Sequence, residues 1–207
     1  MRANYLARGY NGMTHQVEAL FKLLQTVEPY PAGVMAVGAR LRMTGFFPGA
    51  AGLWQSQPEE LPPLATRGTM VLGHNLDSER GFAKSVARGG ENLNGATWRE
   101  LIRFLDRAMP DDRALDNYFF TNFLIGLIAG ASASSEGKFP GTANPDFIAR
   151  CQVFFERQIQ IIRPSLLFIL GIQTPRLIAP LSPQLAHWHN AKKYGIPPPT
   201  PTYQHKP

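Results

Sequence analysis

Cysteine is all but missing from this chain: Cys151 is the single one among 207 residues. That excludes an internal disulfide, and it excludes any zinc or iron–sulfur site drawing several thiolates from one chain. A reducing compartment is the expectation. Long apolar runs are also absent. The longest, around Phe123 to Ala131 and Leu166 to Ile172, fall well short of the roughly 20 residues that a membrane helix needs. The opening Met1-Arg2-Ala3-Asn4-Tyr5-Leu6-Ala7-Arg8-Gly9 carries charge with no apolar stretch behind it, so a secretory signal is not supported. A cytoplasmic protein without a membrane partner is expected. The Walker loop and the dinucleotide Gly-x-Gly-x-x-Gly fingerprint are both lacking, which sets nucleotide-cofactor enzymes behind other classes. Acidic residues are few, 15 Asp and Glu against 21 Lys and Arg, for a formal charge of +6. Such an excess favours a polyanionic partner. Hydrophobic residues, at 44%, suffice for a core, so disorder throughout is excluded.

The elements follow from periodicity and punctuation. Val17, Leu20, Phe21 and Leu24 recur at helical spacing between Thr14, a candidate N-cap, and Pro29, which predicts an amphipathic helix over 15–28. From Pro29 to Arg67 the chain is rich in Gly and Pro, including Phe46-Phe47-Pro48-Gly49, and reads as loops with short pieces of structure. Thr69-Met70-Val71-Leu72 predicts a short buried strand closed by Gly73. Thr97-Trp98-Arg99-Glu100 has the form of a capping box, and Trp98, Leu101, Ile102 and Leu105 continue a helix toward Pro110. Tyr118-Phe119-Phe120-Thr121 predicts a second strand, with Asn122 at its end. Asn144-Pro145 opens a helix with the stripe Phe147, Cys151, Phe154, Phe155, Ile159 and Ile162. Cys151 on that stripe reads as inert packing. Ser165 to Leu170 reads as a strand buried on both faces and ending at Gly171. Thr174-Pro175 and Ser182-Pro183 read as short helix starts. Alternating helices and strands of this order predict a three-layer α/β/α sandwich with a short, mostly parallel central sheet. One domain is expected over 1–196, followed by a Pro-rich disordered tail over 197–207.

Ligands of open parallel sheets bind beyond the carboxyl ends of the strands. Gly73-His74-Asn75-Leu76-Asp77-Ser78-Glu79, Thr121-Asn122 and Gly171 therefore mark the candidate site. A glycine admits close approach, and an amide offers donor and acceptor together, which is what reading a nucleobase edge demands.

These three ordered segments resemble the uracil-DNA glycosylase superfamily. Gly73-His74-Asn75-Leu76 is similar to its first motif, Gly-x-Asp/Asn-Pro; Phe119-Phe120-Thr121-Asn122 is similar to its strand ending in Asn; and Gln158 to Gly171 is similar to its helix ending in Pro followed by an apolar strand ending in Gly. The likeness spans about residues 66–185. It implies hydrolysis of the N-glycosidic bond of uracil or another aberrant base in DNA, as in base excision repair, after base flipping into a pocket. By motif position Asn75 would hold the attacking water, with His74 beside it, and Asn122 would read the base together with Gly73. Phe82 would stack on the base, and Arg80, Lys84 and Arg88 would hold phosphates. Neither metal nor other cofactor is expected, because DNA phosphates and fixed dipoles can stabilise an oxocarbenium-like sugar. The partner is single- or double-stranded DNA, bound by a monomer. The sequence departs from the family at Leu76, where a proline stands in the motif, and at Asp77, where one branch has an aromatic. The family's final His-Pro-Ser type loop is not found; His187-Trp188-His189-Asn190 and a Pro-rich ending follow instead. The alternative is therefore a catalytically inactive, basic nucleic-acid-binding relative of the same fold.

Plainer roles compete for the same residues. Asn75 and Asn122 suit turns or caps, Asp77-Ser78-Glu79 suit the start of a helix, and Phe82, Phe119 and Phe120 suit a core. Arg80, Lys84 and Arg88, at i, i+4, i+8, suit a solvated helix face. A small-molecule hydrolase using His74 and Asp77 lacks the Gly-x-Ser-x-Gly elbow.

Overall fold

A computed structural model describes residues 18–37, 45–48, 68–108, 118–130, 139–171 and 173–181. Helix α1, residues 18–23, runs into a 3-10 turn at Leu24–Val27. Leu20 and Leu24 are buried, as the apolar spacing predicts, Phe21 is half-buried, and Val27, outside the predicted stripe, is buried as well. Thr14 and Val17, the Ser182-Pro183 helix start, His187 to Asn190 and the 197–207 tail lie outside the described residues.

Strands β1 (Val34–Met35), β2 (Thr69–Asn75), β3 (Tyr118–Leu124), β4 (Leu127–Ile128) and β5 (Leu166–Ile169) form two sheets. The three-stranded sheet has the order β3-β2-β5 and is parallel throughout, while β1 and β4 make a small antiparallel pair. Helices α2 (Glu79–Arg88), α3 (Ala96–Ala108), α4 (Pro145–Ile162) and α5 (Thr174–Ile178) complete the fold. It is a three-layer α/β/α sandwich, as the element order predicts.

Period-two alternation divides the core. Met70 and Leu72 of β2 and Phe119 and Phe123 of β3 pack with Phe147, Cys151, Phe154 and Phe155 of α4 and with Leu20, Leu24 and Val27. Val71, Tyr118 and Phe120 point the other way and pack with Trp98, Leu101 and Leu105 of α3. Asn144 caps α4 as expected, its Oδ1 accepting the Phe147 N–H at 2.9 Å with Pro145 in the first turn. Within the larger core, Thr121 and Gln158 satisfy each other at 3.0–3.1 Å, so a polar pair in a fully buried layer leaves no orphan.

Four sequence expectations change. The strand at Thr69 does not stop at Leu72 but continues through Gly73, His74 and Asn75, because pairing with β3 extends to Asn75 opposite Leu124. Asn122 likewise lies inside β3 rather than at its end. The capping box is not formed: α3 begins at Ala96, the Arg99 N–H reaches the Gly95 carbonyl at 3.0 Å, and the Glu100 carboxylate accepts from Arg99 and Arg103 instead. Local capping gives way because Ala96 and Thr97 are both helical, which places Thr97 inside the first turn rather than at the cap. Strand β5 is an edge of the described sheet, paired with β2 alone, so it is half-buried and Leu166 is 42% exposed rather than covered on both faces.

Among the described residues no helix is long and apolar enough to cross a membrane. Burial pushes the Cys151 thiol up from 9.0 to about 12, over the smaller lowering effects of the Ile125 backbone and the Arg150 charge. Burial likewise pushes the Tyr30 phenol up from 10.0 to about 12. The unfolded chain releases the Cys151 proton near pH 9.0 while the fold keeps it to about 12, so the native state binds more protons in that window. Stability is then whole below the lower value and declines as pH rises through it, Tyr30 adding to the decline from about 10. Denaturant midpoints measured across this range should fall progressively, with Cys151→Ala removing the earliest part of the fall. A flat profile in the parent would contradict the burial of both groups. Thiol reagents at neutral pH should label Cys151 only as fast as the chain unfolds.

Candidate functional site

The register of β2 against β3 sets the site. Val71 pairs with Phe120, Gly73 with Asn122 and Asn75 with Leu124. Alternation carries the row Val71, Gly73, Asn75 and the row Tyr118, Phe120, Asn122 onto the α3 side of the sheet. Beyond Phe120 the aromatic layer ends and a cleft of about 680 Å³ begins. Its lining includes Gly73, His74, Asn75 and Asn122 from the strands, Arg80, Phe82, Lys84 and Arg88 from α2, and Gly171 after β5. The eight residues given roles by the resemblance thus share one cleft with Gly171, while Glu79 and Thr121 of the marked segments do not line it.

Asn122 is 5% exposed and its carboxamide has no hydrogen-bond partner among the described residues. A buried amide left unmade costs roughly 1–3 kcal/mol, so such a group usually serves something else. Gly73 makes room for it. A Cβ at position 73 would stand 2.2 Å from Asn122 Oδ1 and 3.4 Å from Phe46 Cε1. No side chain of any other residue fits there while the amide keeps its place.

Asn75, at the end of β2, is engaged locally. Its Oδ1 lies 2.8 Å from His74 Nδ1, and its Nδ2 donates to the Leu76 carbonyl. An amide oxygen only accepts, so in this contact His74 donates from Nδ1. One Nδ2 hydrogen and one Oδ1 lone pair of Asn75 remain for a ligand.

The turn into α2 is built as the plainer sequence reading has it. Ser78 is the N-cap, its Oγ accepting the Gly81 N–H at 3.1 Å, while Asp77 Oδ1 accepts the Ser78 N–H at 2.6 Å. A Cβ on Gly81 would fall 1.9 Å from Asp77 Oδ2, so the Asp77 carboxylate sits over the helix start, where the dipole favours negative charge. Strand β4 anchors this turn through Ile128 N–H to the Asp77 carbonyl at 3.3 Å, and Glu79 accepts the Gly130 N–H at 3.0 Å. Along α2, Arg80, Lys84 and Arg88 lie on one exposed face about 6 Å apart along the axis. Among the described residues none of the three is ion-paired, leaving their charge available to an anion in the cleft. Phe82 is half-buried, lines the cleft and packs against the larger core.

No protein-family model and no curated protein matches this chain. The site is therefore read from its own geometry. Phe46, Glu91 and Trp98 are among the lining residues that the sequence reading did not place in the site. Phe46 lies against Trp98 and Phe120 with ring centroids 5.3 and 5.5 Å apart, and Glu91 joins Trp98 to the 45–48 segment by accepting Trp98 Nε1–H at 3.0 Å and the Gly45 N–H at 2.9 Å. The only signal for Phe46 was its place beside Phe47 in a stretch without period; Glu91 carried none. Among the described residues no group of three or more His, Cys, Asp or Glu is placed to hold a metal ion.

Gly73→Ala should cost about 1–3 kcal/mol through overpacking against the amide. Asn122→Ala should leave stability unchanged or raised, because the group it deletes has no partner here. Combining the two should recover most of the Gly73→Ala loss, and a double-mutant cycle by chemical denaturation measures the coupling. Strict additivity would show that the amide does not occupy the space the glycine leaves.

Proposed function

We propose that this chain is a DNA glycosylase-like protein that hydrolyses the N-glycosidic bond of uracil or another aberrant base, the nucleotide being flipped from DNA into the cleft. One observation carries the reading: a buried carboxamide with no hydrogen-bond partner among the described residues stands beside a glycine, in a cleft whose rim holds three cations that no described carboxylate pairs. A planar base with adjacent donor and acceptor atoms satisfies both ends of the Asn122 carboxamide through its own edge. The cations of α2 suit a polyanionic backbone passing over the mouth, in keeping with the net charge of +6. The ordered likeness of Gly73 to Leu76, Phe119 to Asn122 and Gln158 to Gly171 to the uracil-DNA glycosylase superfamily points the same way.

In this reading Asn75 orients the attacking water with its remaining lone pair and hydrogen. The water's proton needs another acceptor, because an amide cannot take it at neutral pH. His74 is suited to it: Nδ1 donates to the Asn75 oxygen, and Nε2 is the ring atom that could accept a proton. Asn75 thereby serves both the water and the ring of its neighbour.

A second reading is favoured by the same bonds. With Asn75 committed to His74 and Leu76, a domain that recognises an extruded base without cleaving it uses the identical pocket. Base release from a labelled single-uracil oligonucleotide, single- and double-stranded, separates the two. Release lowered on the order of 100-fold or more in Asn122→Ala, with DNA affinity retained, is the outcome the glycosylase reading requires. Unchanged excision by that variant defeats the assignment, and parent protein that binds DNA without releasing any base leaves the binding-only reading standing.

The rim has its own signature. Replacing Arg80, Lys84 and Arg88 together by Ala should weaken DNA binding and flatten the dependence of log affinity on log salt by about three units, one per lost phosphate contact. An unaltered slope would place the phosphates elsewhere.

A further inference from the structure

Strand β5 has the composition of an interior strand and the position of an edge. Leu166-Leu167-Phe168-Ile169, with Leu170 after it, holds no charge and no proline, and it pairs with β2 without a bulge. Edge strands that face water are ordinarily guarded by one of these devices. The other edge of the same sheet is covered, for Phe47 bridges Thr121 of β3 and its N–H donates to the Phe120 carbonyl at 2.8 Å. We infer that β5 pairs antiparallel with β5 of a second copy of this chain, joining the two three-stranded sheets into one continuous sheet. A dimer thus takes the place of the monomer expected from sequence, and the pairing is independent of the glycosylase reading.

The backbone of β5 is only half used. The Leu170 N–H donates to the Leu72 carbonyl at 2.7 Å, and the register sets Met70 against Leu167 and Leu72 against Ile169. Successive residues of a strand address opposite neighbours, so Leu166, Phe168 and Leu170 turn their N–H and C=O groups toward β2 while Leu167 and Ile169 turn theirs to the open side. Among the described residues no strand takes them up. Groups spaced in this way are complementary to themselves. With Leu167 of one copy opposite Ile169 of the other, a twofold axis through the Phe168 pair joins every one of these N–H groups to a C=O of the second copy.

The side chains along the edge suit the same partner. Phe168 and Leu170 lean on the α3-side core, Leu167 and Ile169 on the α4-side core. Leu166 and Phe104 are 42% and 49% exposed, and the Phe104 ring meets that of Phe168 edge-on at 5.2 Å. Phe104, Leu166 and Phe168 therefore make an apolar strip beside the open backbone. In the twofold register Phe168 faces Phe168 of the second copy and Leu166 faces its Leu170, so like covers like. A chain of net charge +6 resists self-association through a charged surface, and residues 166–170 bring no charge to the seam. The chain's own ending is a poorer occupant, since Pro197, Pro198, Pro199, Pro201 and Pro207 lack the N–H that a ladder requires. The seam also borders the cleft. Leu170 and Gly171 line it, and the register sets Leu166 and Ser165 of the second copy beside them.

Sedimentation velocity of the full chain, freed of nucleic acid, should show a reversible monomer–dimer equilibrium as concentration is varied. Raising salt should leave the dimer unchanged or tighten it, because two cationic copies meet through uncharged groups. Leu166→Lys, at a position the monomer leaves exposed, should weaken the dimer about tenfold or more, and so should Leu167→Pro, which deletes an N–H that no described residue uses. Hydrogen exchange on the parent carries the test if neither variant folds. The Leu167 and Ile169 amides should exchange about tenfold or more slowly in the dimer than in the monomer, with the Phe168 amide slow in both. A chain that stays monomeric up to ~0.1 mM overturns the pairing. So does a dimer that dissociates as salt rises, or one that neither variant weakens, since each of these is held by another surface. Protection of Leu167 and Ile169 that does not vary with concentration gives the edge to the chain's own 182–207 segment and overturns the second copy as its occupant. Base recognition is read on DNA and is untouched by any of these results.

Discussion

The in-register parallel pairing of β2 with β3 is the constraint from which the rest follows. It sets Gly73 opposite Asn122, and the missing side chain at one position is the space taken by the amide at the other. A slip by one residue would turn Asn122 into the α4 layer and bring Thr121 to the cleft, since alternate side chains leave a strand on opposite faces. The register is in turn secured by the two cores. Met70, Leu72, Phe119 and Phe123 belong to one, Val71, Tyr118 and Phe120 to the other, and a slipped strand would exchange them.

The two layers divide the labour. On the α4 side the packing is continuous, and its polar members are matched to each other, as Thr121 and Gln158 are. On the α3 side the packing stops partway along the strands. Trp98, Phe46 and Phe120 close the aromatic cluster, and past them stand an amide unmatched among the described residues, a histidine bonded to Asn75 and a row of cations. Satisfied polar groups lie in the continuous layer, and the one left unsatisfied among the described residues lies where the packing stops.

Several parts of this were legible in the residues. The α4 helix announced itself by Asn144-Pro145 and an unbroken apolar stripe, and the helix after β2 by Asp77-Ser78-Glu79. Both are local signals, read by the backbone within one turn. The capping-box pattern at Thr97 is equally local and did not hold, because the helix already begins at Ala96 and takes Thr97 into its first turn. Strand ends were misplaced for a different reason. Gly73, His74 and Asn75 carry no strand propensity of their own, and what keeps them extended is the partner strand beside them. The exposure of Leu166 was equally hidden, since a strand's own residues do not say whether it lies at the centre or the edge of its sheet.

The sequence by itself determined the class of fold, most helices and strands, and the group of polar residues around Gly73 and Asn122, because periodicity, caps and glycine punctuation act over a few neighbouring residues. Which groups meet was decided by tertiary structure alone. Phe46 and Glu91, far apart in the chain from Asn122, reach the same cleft only because 45–48 pairs beside β3 and a carboxylate bridges that segment to α3. The open amide of Asn122 is likewise a property of the folded neighbourhood, for a polar side chain is satisfied or left wanting only by what the packed chain brings within reach.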